Sequence, residues 1–515
     1  MPVPRRRRSG AIAVALSLAL AASAALTAGA AGAQGAAPSI RLVTGSNAVT
    51  VTRSPGRKAY LGLSVYVAAV GGAFEIRAIR PDYDHPVGVF QVVDQGGTAT
   101  MNPLPAWIDR DWQGLAKFVH VTVTDAAGHV ILDRYHPFCP GSGDLARLND
   151  DGPDVPTYPQ SCGGNPFQLG AVWGIDDGWA ANVFGYSSDA INGPDGHYTA
   201  TVSIAPKYQA LFDVAPSDAS VSIDVTVKTS GHIVCAPFCA TSSGRSAVRR
   251  PGAPALGSAH ASVPIVTDPD PSILPDLVAL PAWGITVEHD NRSGRDFLDF
   301  GATIWDKGPS PMDIEGFRQP DQPMMDAWEY FYANGVPVGR AQAGTMMYDA
   351  RPGHQHWHFE QFAQYTLLDT NRQTVVRSRK TGFCLAPTDA IDMTVPNAIW
   401  NPYSIGLSTA CGGEGALWVR EALPVGWGDT YFQSLPGQSF DITDLPNGTY
   451  YIQITANPAG LLMEGSTTNN TEIRRVVLGG RPGHRTLKVP AWHGIDPEPG
   501  MSGGGGGGIV PTPVP

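Results

Sequence analysis

The chain has 515 residues, of which 16% are charged, and a formal net charge of -11. This length exceeds one ordinary domain, and the 60 glycines and 45 prolines argue against a helical bundle, because both residues break helices. The acidic balance argues against a nucleic-acid partner, since nucleic-acid binding requires a basic surface.

Residues 1–33 have the pattern of a secretory signal peptide. Arginines at 5–8 precede an apolar run over 11–28, and small residues at 31–33 form a cleavage site. A transmembrane anchor is the alternative, but alanine is only weakly hydrophobic and the cleavage site fits. We therefore expect a secreted, extracellular protein with no membrane span after signal cleavage.

Residues 34–240 alternate strand-like segments with turn signals. Segment 120–136 has the pattern of a β-hairpin, and segments 195–206 and 220–228 alternate apolar and polar residues in the same way. This spacing predicts a β-sandwich accessory region. Residues 241–273 are rich in proline, alanine and serine, which predicts a linker.

Residues 274–495 again indicate β-structure, and residues 496–515 form a tail rich in glycine and proline. Hairpins are predicted over 361–380 and over 440–458, where a Pro-Asn-Gly turn separates two alternating arms. We therefore predict an all-β protein with an N-terminal β-sandwich region and a C-terminal β-sandwich domain.

Six cysteines in an exported chain indicate disulfide bonds. Sequence alone leaves their connectivity open, and pairing of neighbours would give 139–162, 235–239 and 384–411. Their spacing does not resemble a reactive CxxC motif or a four-cysteine zinc site.

The sharpest local feature is a set of histidines at alternate positions, His354, His356 and His358. Alternate side chains of a strand share one face, with neighbours roughly 7 Å apart, so these imidazoles can converge on one metal. Binding by all of them requires a bend, because the outer two are about twice as far apart. Imidazoles suit copper or zinc, and the alternative is a polar strand face without a metal.

The hairpin that follows brings a lysine back toward these histidines. If its turn centres at 370–371, residues 358 and 383 lie opposite one another. Lys380 then lies within about 10 Å of the histidines. The alternative is a solvated lysine at the end of a strand.

The segment 353–385 resembles the core of the lysyl oxidase family. Its His-Gln-His-aromatic-His motif is followed by Tyr-x-Leu-Leu-Asp and then by Lys-x-x-Phe-Cys-Leu. Further matches follow in the family's order over 429–431, 440–444, 457–458, 464 and 469–470, and the opening of the domain resembles 274–278. The resemblance extends over the whole of the second half of the chain.

The resemblance implies a copper-dependent amine oxidase of the protein-lysine 6-oxidase type. His354, His356 and His358 would be the copper ligands, and Lys380 and Tyr431 would be the precursors of a lysine tyrosylquinone cofactor. Such an enzyme oxidises peptidyl lysine side chains or small primary amines to aldehydes. Dioxygen is consumed, and ammonia and hydrogen peroxide are released.

The general base is open at this stage, because Asp429, Asp441 and Asp444 are all candidates. Animal members of the family also carry a Trp-x-Trp-His segment before the histidines, which is absent at 346–351 here. One alternative is therefore a catalytically silent extracellular adhesion or matrix protein with a structural metal site. Another is a zinc or copper protein without a quinone, and a Lys380–Tyr431 crosslink would distinguish these from the enzyme.

Overall fold

The computed structural model describes residues 37–94, 98–108, 112–141, 143–185, 188–230, 263–351, 354–378, 380–432 and 439–498. Almost all regular structure in these residues is β, which confirms the all-β prediction. The sandwich arrangement of each half stays a prediction. No helix in the described ranges is long and apolar enough to span a membrane.

The N-terminal half contains fifteen described strands and one short α-helix, α1 (Pro206–Leu211). The strands are β1 (Ser39–Thr44), β2 (Ala48–Arg53), β3 (Ala59–Tyr60), β4 (Val65–Val70), β5 (Phe74–Ile79), β6 (Gly88–Asp94), β7 (Ala99–Leu104), β8 (Leu115–Asp125), β9 (Val130–Phe138), β10 (Leu145–Arg147), β11 (Gly170–Ile175), β12 (Trp179–Asn182), β13 (Ala190–Ile191), β14 (Gly196–Ile204) and β15 (Ser220–Thr229).

The C-terminal half contains the remaining described strands and two short 3₁₀ helices, Pro271–Ile273 and Pro402–Ile405. The strands are β16 (Leu277–Ala279), β17 (Trp283–Asp290), β18 (Arg295–Asp306), β19 (Met312–Phe317), β20 (Met324–Ala333), β21 (Val336–Asp349), β22 (His356–Glu360), β23 (Ala363–Leu368), β24 (Thr374–Arg377), β25 (Gly382–Phe383), β26 (Asp389–Ala390), β27 (Trp418–Leu423), β28 (Trp427–Tyr431), β29 (Ser439–Asp441), β30 (Gly448–Ala456), β31 (Thr471–Arg481) and β32 (His484–Lys488).

Four sheets form the described N-terminal half, in the strand orders β1-β4-β12-β10, β11-β5-β6-β7, β13-β3 and β2-β15-β14-β8-β9. The β8–β9 and β14–β15 pairs confirm the strand predictions for this half. Strand β14 has one buried face, which consists of Tyr198, Ala200, Val202 and Ile204, and the residues between them are more exposed. This burial follows the alternation of apolar and polar residues in the sequence.

Three sheets form the described C-terminal half. Their strand orders are β16-β18-β28-β26, with β17 and β29 also paired to β18, then β25-β22-β21-β20-β19-β27 and β24-β23-β30-β31-β32. Strand β18 lies inside its sheet, with paired strands on both sides, and it is therefore buried along most of its length. It pairs with β28, so it lies directly beside the strand that ends at Tyr431.

The hairpin predicted over 440–458 is wrong. Strand β29 pairs with β18, whereas β30 pairs with β23 and β31. The carbonyl groups of Thr443 and Leu445 between the two arms accept hydrogen bonds from the Arg485 guanidinium, both at 2.6 Å. These residues therefore connect two sheets, and alternation alone does not identify the partner strand.

The expectation of disulfide bonds is confirmed for four cysteines, which form Cys139–Cys162 and Cys384–Cys411, the bonds that pairing of neighbours would give. The pairing of 235 with 239 lies outside the described residues. The described part of the predicted linker packs against β21, because Val266 donates to the Arg340 carbonyl and Arg340 donates to that of Pro264, both at 2.9 Å.

Candidate metal centre and lysine–tyrosine pair

Strand β22 presents His356 and His358 on one face. Trp357, on the other face, is 1% exposed and its backbone N–H donates to the Cys411 carbonyl at 3.0 Å. Its indole N–H donates to the Gly413 carbonyl at 3.0 Å. Because Trp357 is held in this way, both imidazoles are directed to the same side of the sheet.

His354 lies before the strand, in a turn where its backbone N–H donates to the Arg351 carbonyl at 2.9 Å. The turn supplies the bend that the spacing of the histidines requires. One ligand atom from each of the three histidines lies within 4.8 Å of the others. Nitrogens that bind one ion at about 2.0–2.1 Å lie at most about 4.2 Å apart, so small side-chain adjustments suffice for binding.

The three imidazoles have the protonation state that metal binding needs. Burial lowers the pKa of His354 and His356, and it lowers the pKa of His358 to about 3. The buried Nδ1 atom of His354 has no hydrogen-bond partner in the described ranges. Neutral, desolvated imidazoles with an orphaned nitrogen fit a copper or zinc ion.

Asp349 adds a carboxylate to this cluster. Its Oδ2 atom lies 3.5 Å from Nδ1 of His354 and 3.7 Å from Nδ1 of His358. Hydrogen bonds from Arg351, at 2.9 Å to Oδ1 and 3.0 Å to Oδ2, hold the pKa of Asp349 well below its usual range. The ionised carboxylate is therefore placed to orient the rings, a role the sequence did not indicate.

Lys380 is 9% exposed, and its Nζ atom lies 4.5 Å from the ring centroid of Tyr431. The same amine lies 4.9 Å from the ring centroid of Phe383. Burial lowers the pKa of Lys380 to about 8, because the interior disfavours the ammonium form. A solvated lysine at a strand end is therefore excluded.

Tyr431 ends β28, and its hydroxyl group donates to the Cys384 carbonyl at 3.0 Å. The ring makes an edge contact with Phe383, with centroids 5.0 Å apart. Burial raises the pKa of Tyr431, so its hydroxyl is protonated at neutral pH. The ring is thus fixed between the Cys384 segment and the Lys380 amine.

Asp429 precedes Tyr431 by two residues on the same strand face and is 3% exposed. Burial raises the pKa of Asp429, while a hydrogen bond with Tyr431 and the charge of Lys380 oppose this rise. Its Oδ2 atom has no hydrogen-bond partner in the described part of the chain. Of the other two candidate bases, Asp441 pairs with Arg295 at 3.0 Å and Asp444 is exposed.

The predicted register is wrong by one residue, because Phe383 pairs with Phe359 and not with His358. The shift is already present in the β23–β24 hairpin, where Leu367 pairs with Val376 and Leu368 with Thr374, so the turn does not centre at 370–371. Gln361, with a positive φ of 67°, lies between β22 and β23, which belong to different sheets. The predicted proximity holds all the same. A Cβ atom at Gly382 would lie 3.0 Å from that of His358, and the charge of Lys380 lowers the pKa of all three histidines.

Glu421, on β27, joins the histidine strand to the Cys384 segment. It is fully buried, and its carboxylate accepts hydrogen bonds from the backbone N–H groups of Phe359 and Leu385, both at 3.0 Å. Phe359 follows His358, and Leu385 follows the carbonyl that holds Tyr431. The signal available in the sequence is an acid next to Arg420 in a short strand whose other residues are apolar.

The fold and site define an all-β domain in which a three-histidine cluster adjoins a buried lysine–tyrosine pair. Residues 333–483 match the family model for lysyl oxidase. This part of the C-terminal half is therefore similar to the lysyl oxidase family. This match is shorter than the span 274–495 expected from the sequence motifs.

Several proteins that are similar in sequence to this chain are named as lysyl oxidase homologs or protein-lysine 6-oxidases. Human protein-lysine 6-oxidase is 33% identical over 119 residues, which cover 23% of this chain and 25% of the human protein. Mouse lysyl oxidase homolog 4 is 31% identical over 132 residues, covering 25% of this chain and 16% of that protein. Zebrafish (Danio rerio) lysyl oxidase homolog 2B is 34% identical over 118 residues, covering 23% and 14%. The match thus spans a quarter or less of each of these relatives.

Proposed function

We propose that this protein is a secreted, copper-dependent amine oxidase with a cofactor made from Lys380 and Tyr431. The observation that carries the proposal is the buried Lys380 amine, which lies 4.5 Å from the Tyr431 ring centroid beside the histidine cluster. A structural metal site requires three imidazoles but no lysine beside a tyrosine ring. The pair therefore favours the enzyme over a silent matrix protein.

The residues present fit the metal that this function requires. His354, His356 and His358 would hold copper through neutral imidazoles. Copper bound there would supply the one-electron chemistry with dioxygen that converts the tyrosine ring to a quinone. The chain's part is to hold the ring and the amine in place, and the Cys384 carbonyl and Phe383 do so for Tyr431.

The Lys380 side chain would form the covalent bond to the ring, and burial favours this step. Only a neutral amine has the lone pair that bonding requires. Because burial lowers the pKa of Lys380 to about 8, a substantial fraction of the amine is neutral near physiological pH. The remaining fraction of Lys380 is an ammonium ion, and its electrostatic interaction with Asp429 stabilises it.

Asp429 would also act as the general base of the oxidation. It is buried beside Tyr431, and its Oδ2 atom has no partner among the described residues, so that it is available to take the proton from the carbon next to the substrate amine. Asp441 is a weaker candidate because it pairs with Arg295. The overall reaction converts a primary ammonium, dioxygen and water to an aldehyde, ammonium and hydrogen peroxide.

The substrate class follows from the reaction and from the names of the relatives. The relatives include proteins named protein-lysine 6-oxidase, and we extend that substrate, a peptidyl lysine side chain, to this chain. Small primary amines are the second class. The net charge of -11 favours the approach of cationic substrates at long range.

The test is peptide mass spectrometry on protein matured with copper and dioxygen. We expect the peptide containing Lys380 to be joined covalently to the peptide containing Tyr431, with one oxygen atom added to the ring. Protein matured without copper is the control and should yield the two peptides separately. Absence of the crosslink in copper-loaded protein would favour a silent matrix protein with a metal site.

The rate of crosslink formation should depend on the protonation of Lys380. A pKa lowered to about 8 predicts a rate that rises with pH and reaches a plateau above that value. At pH 6 the rate should be about a hundredfold below the plateau, because about 1% of the amine is neutral there. The measurement is quinone absorbance against time, at copper saturation, from pH 6 to 9.

A rate that does not change over this range would contradict a buried lysine nucleophile. So would a midpoint near the ordinary lysine pKa of about 10.4. Copper content must be measured at each pH, and we expect it to remain constant because burial keeps the histidines neutral.

A further inference from the structure

The N-terminal half contacts the catalytic half through backbone hydrogen bonds at the start of β11. Leu169 donates to the Ile391 carbonyl at 2.8 Å, and Met393 donates to the Gly170 carbonyl at 2.9 Å. A Cβ atom at Gly170 would lie 2.2 Å from the Asp392 carboxylate, so this approach requires glycine. The contacted segment follows β26, which pairs with the Tyr431 strand.

Apolar side chains close the same contact. Phe167 of the N-terminal half is fully buried in one cluster with Trp283, Trp305 and Ile391 of the catalytic half. The two halves therefore share a core.

A chain of buried hydroxyl groups extends from this contact to the site. Asn165 is fully buried, and its amide Nδ2 donates to Oγ1 of Thr303 at 2.9 Å. The indole N–H of Trp283 donates to the same atom at 3.3 Å. Oγ1 of Thr303 lies 2.7 Å from Oγ1 of Thr430.

The direction of this chain follows from the donor inventory. An amide NH₂ and an indole N–H can only donate, so Oγ1 of Thr303 accepts from both. The Thr303 hydroxyl group therefore donates its one hydrogen bond to Oγ1 of Thr430. Thr430 lies between Asp429 and Tyr431 on β28, and its hydroxyl in turn interacts with Asp389.

We propose that the N-terminal half is a permanent support of the Tyr431 strand and that Asn165 is its positioning residue. The proposal rests on the quinone function proposed above. Asn165 makes the shorter of the two hydrogen bonds that, with that of Trp283, fix the direction in which the Thr303 hydroxyl donates to Thr430, the residue between Asp429 and Tyr431. The accessory half is then part of the catalytic unit and not a segment whose removal activates the enzyme.

The test compares Asn165→Leu, Thr303→Val and the double variant with wild type. Both substitutions nearly keep the side-chain size. Asn165→Leu removes the amide that donates to Thr303, and Thr303→Val removes the hydroxyl group itself. Each single variant should form the Lys380–Tyr431 crosslink about tenfold more slowly at full copper occupancy, as expected for a buried group left without its partner. The double variant should be no slower than either single variant, because both act through the same chain.

Thr303→Ser restores the hydroxyl and should restore the rate, whereas Asn291→Leu changes an exposed asparagine and should have no effect. Wild-type rates in both single variants, or additive losses in the double variant, would overturn the proposal. A wild-type protein that forms no crosslink would instead contradict the proposed function.

A second measurement does not depend on the folding of these variants. A protease site inserted between residues 241 and 260 of the full chain allows the two halves to be cut apart after folding. We expect both fragments to co-elute on size exclusion and the cut protein to form the crosslink at the uncut rate. Separation of the fragments, with an undiminished rate in the isolated C-terminal fragment, would refute the support role.

Discussion

Replacing Lys380 with arginine is expected to abolish the crosslink to Tyr431 while copper binding persists. The guanidinium group stays charged at every accessible pH, so it has no free lone pair for the ring. Amine oxidation should fall by at least about a thousandfold, which corresponds to a barrier higher by about 4 kcal/mol. Copper should remain bound, because the three histidines are unchanged.

The measurements are copper content, crosslinked peptide yield and hydrogen peroxide release with a peptidyl lysine substrate. Lys488→Arg is the matched control, because Lys488 is exposed on β32 and the substitution is the same. The control should match wild type in all three measurements. Amine oxidation retained by Lys380→Arg would exclude a cofactor built on this lysine.

Local patterns in the sequence were sufficient to predict the histidine cluster and the return of Lys380. The alternation of three histidines indicates a shared face, and the turn at His354 supplies the bend that this spacing demands. These features depend on residues close together in the chain. The register was nevertheless wrong by one residue, because nothing in the pattern shows the irregular pairing of the β23–β24 hairpin at Leu367 and Leu368.

Contacts between distant residues could not be predicted in the same way. Asn165 and Thr303 are 138 positions apart, and an isolated asparagine after two glycines reads as a turn residue. The partner of β29 was also missed, because strand alternation specifies a face and not a neighbour. Asp349 was missed because its importance depends on where β21 ends beside the histidine strand.

Replacing His356 with alanine is expected to remove both copper and the crosslink. His356 lies between the other two histidines along the chain, and its Nε2 atom is 2.9 Å from that of His358. Two imidazoles remain in this variant. Loss of a residue that only supports a ligand typically lowers metal affinity by about 10–100-fold, and loss of a ligand itself should lower copper affinity by more. Tyr431 then stays unmodified, because no copper is available to oxidise it.

His484→Ala is the matched control, since His484 is exposed at the start of β32. His356→Ala also removes the 2.9 Å contact with His358, so thermal unfolding of both variants in the metal-free state is measured first to establish that they are folded. Copper content, quinone absorbance and the crosslinked peptide are then measured after identical maturation. If His356→Ala loses both copper and the crosslink while the control keeps both, the oxidation of Tyr431 depends on the histidine site. If His356→Ala forms the crosslink without bound copper, this site does not modify the tyrosine.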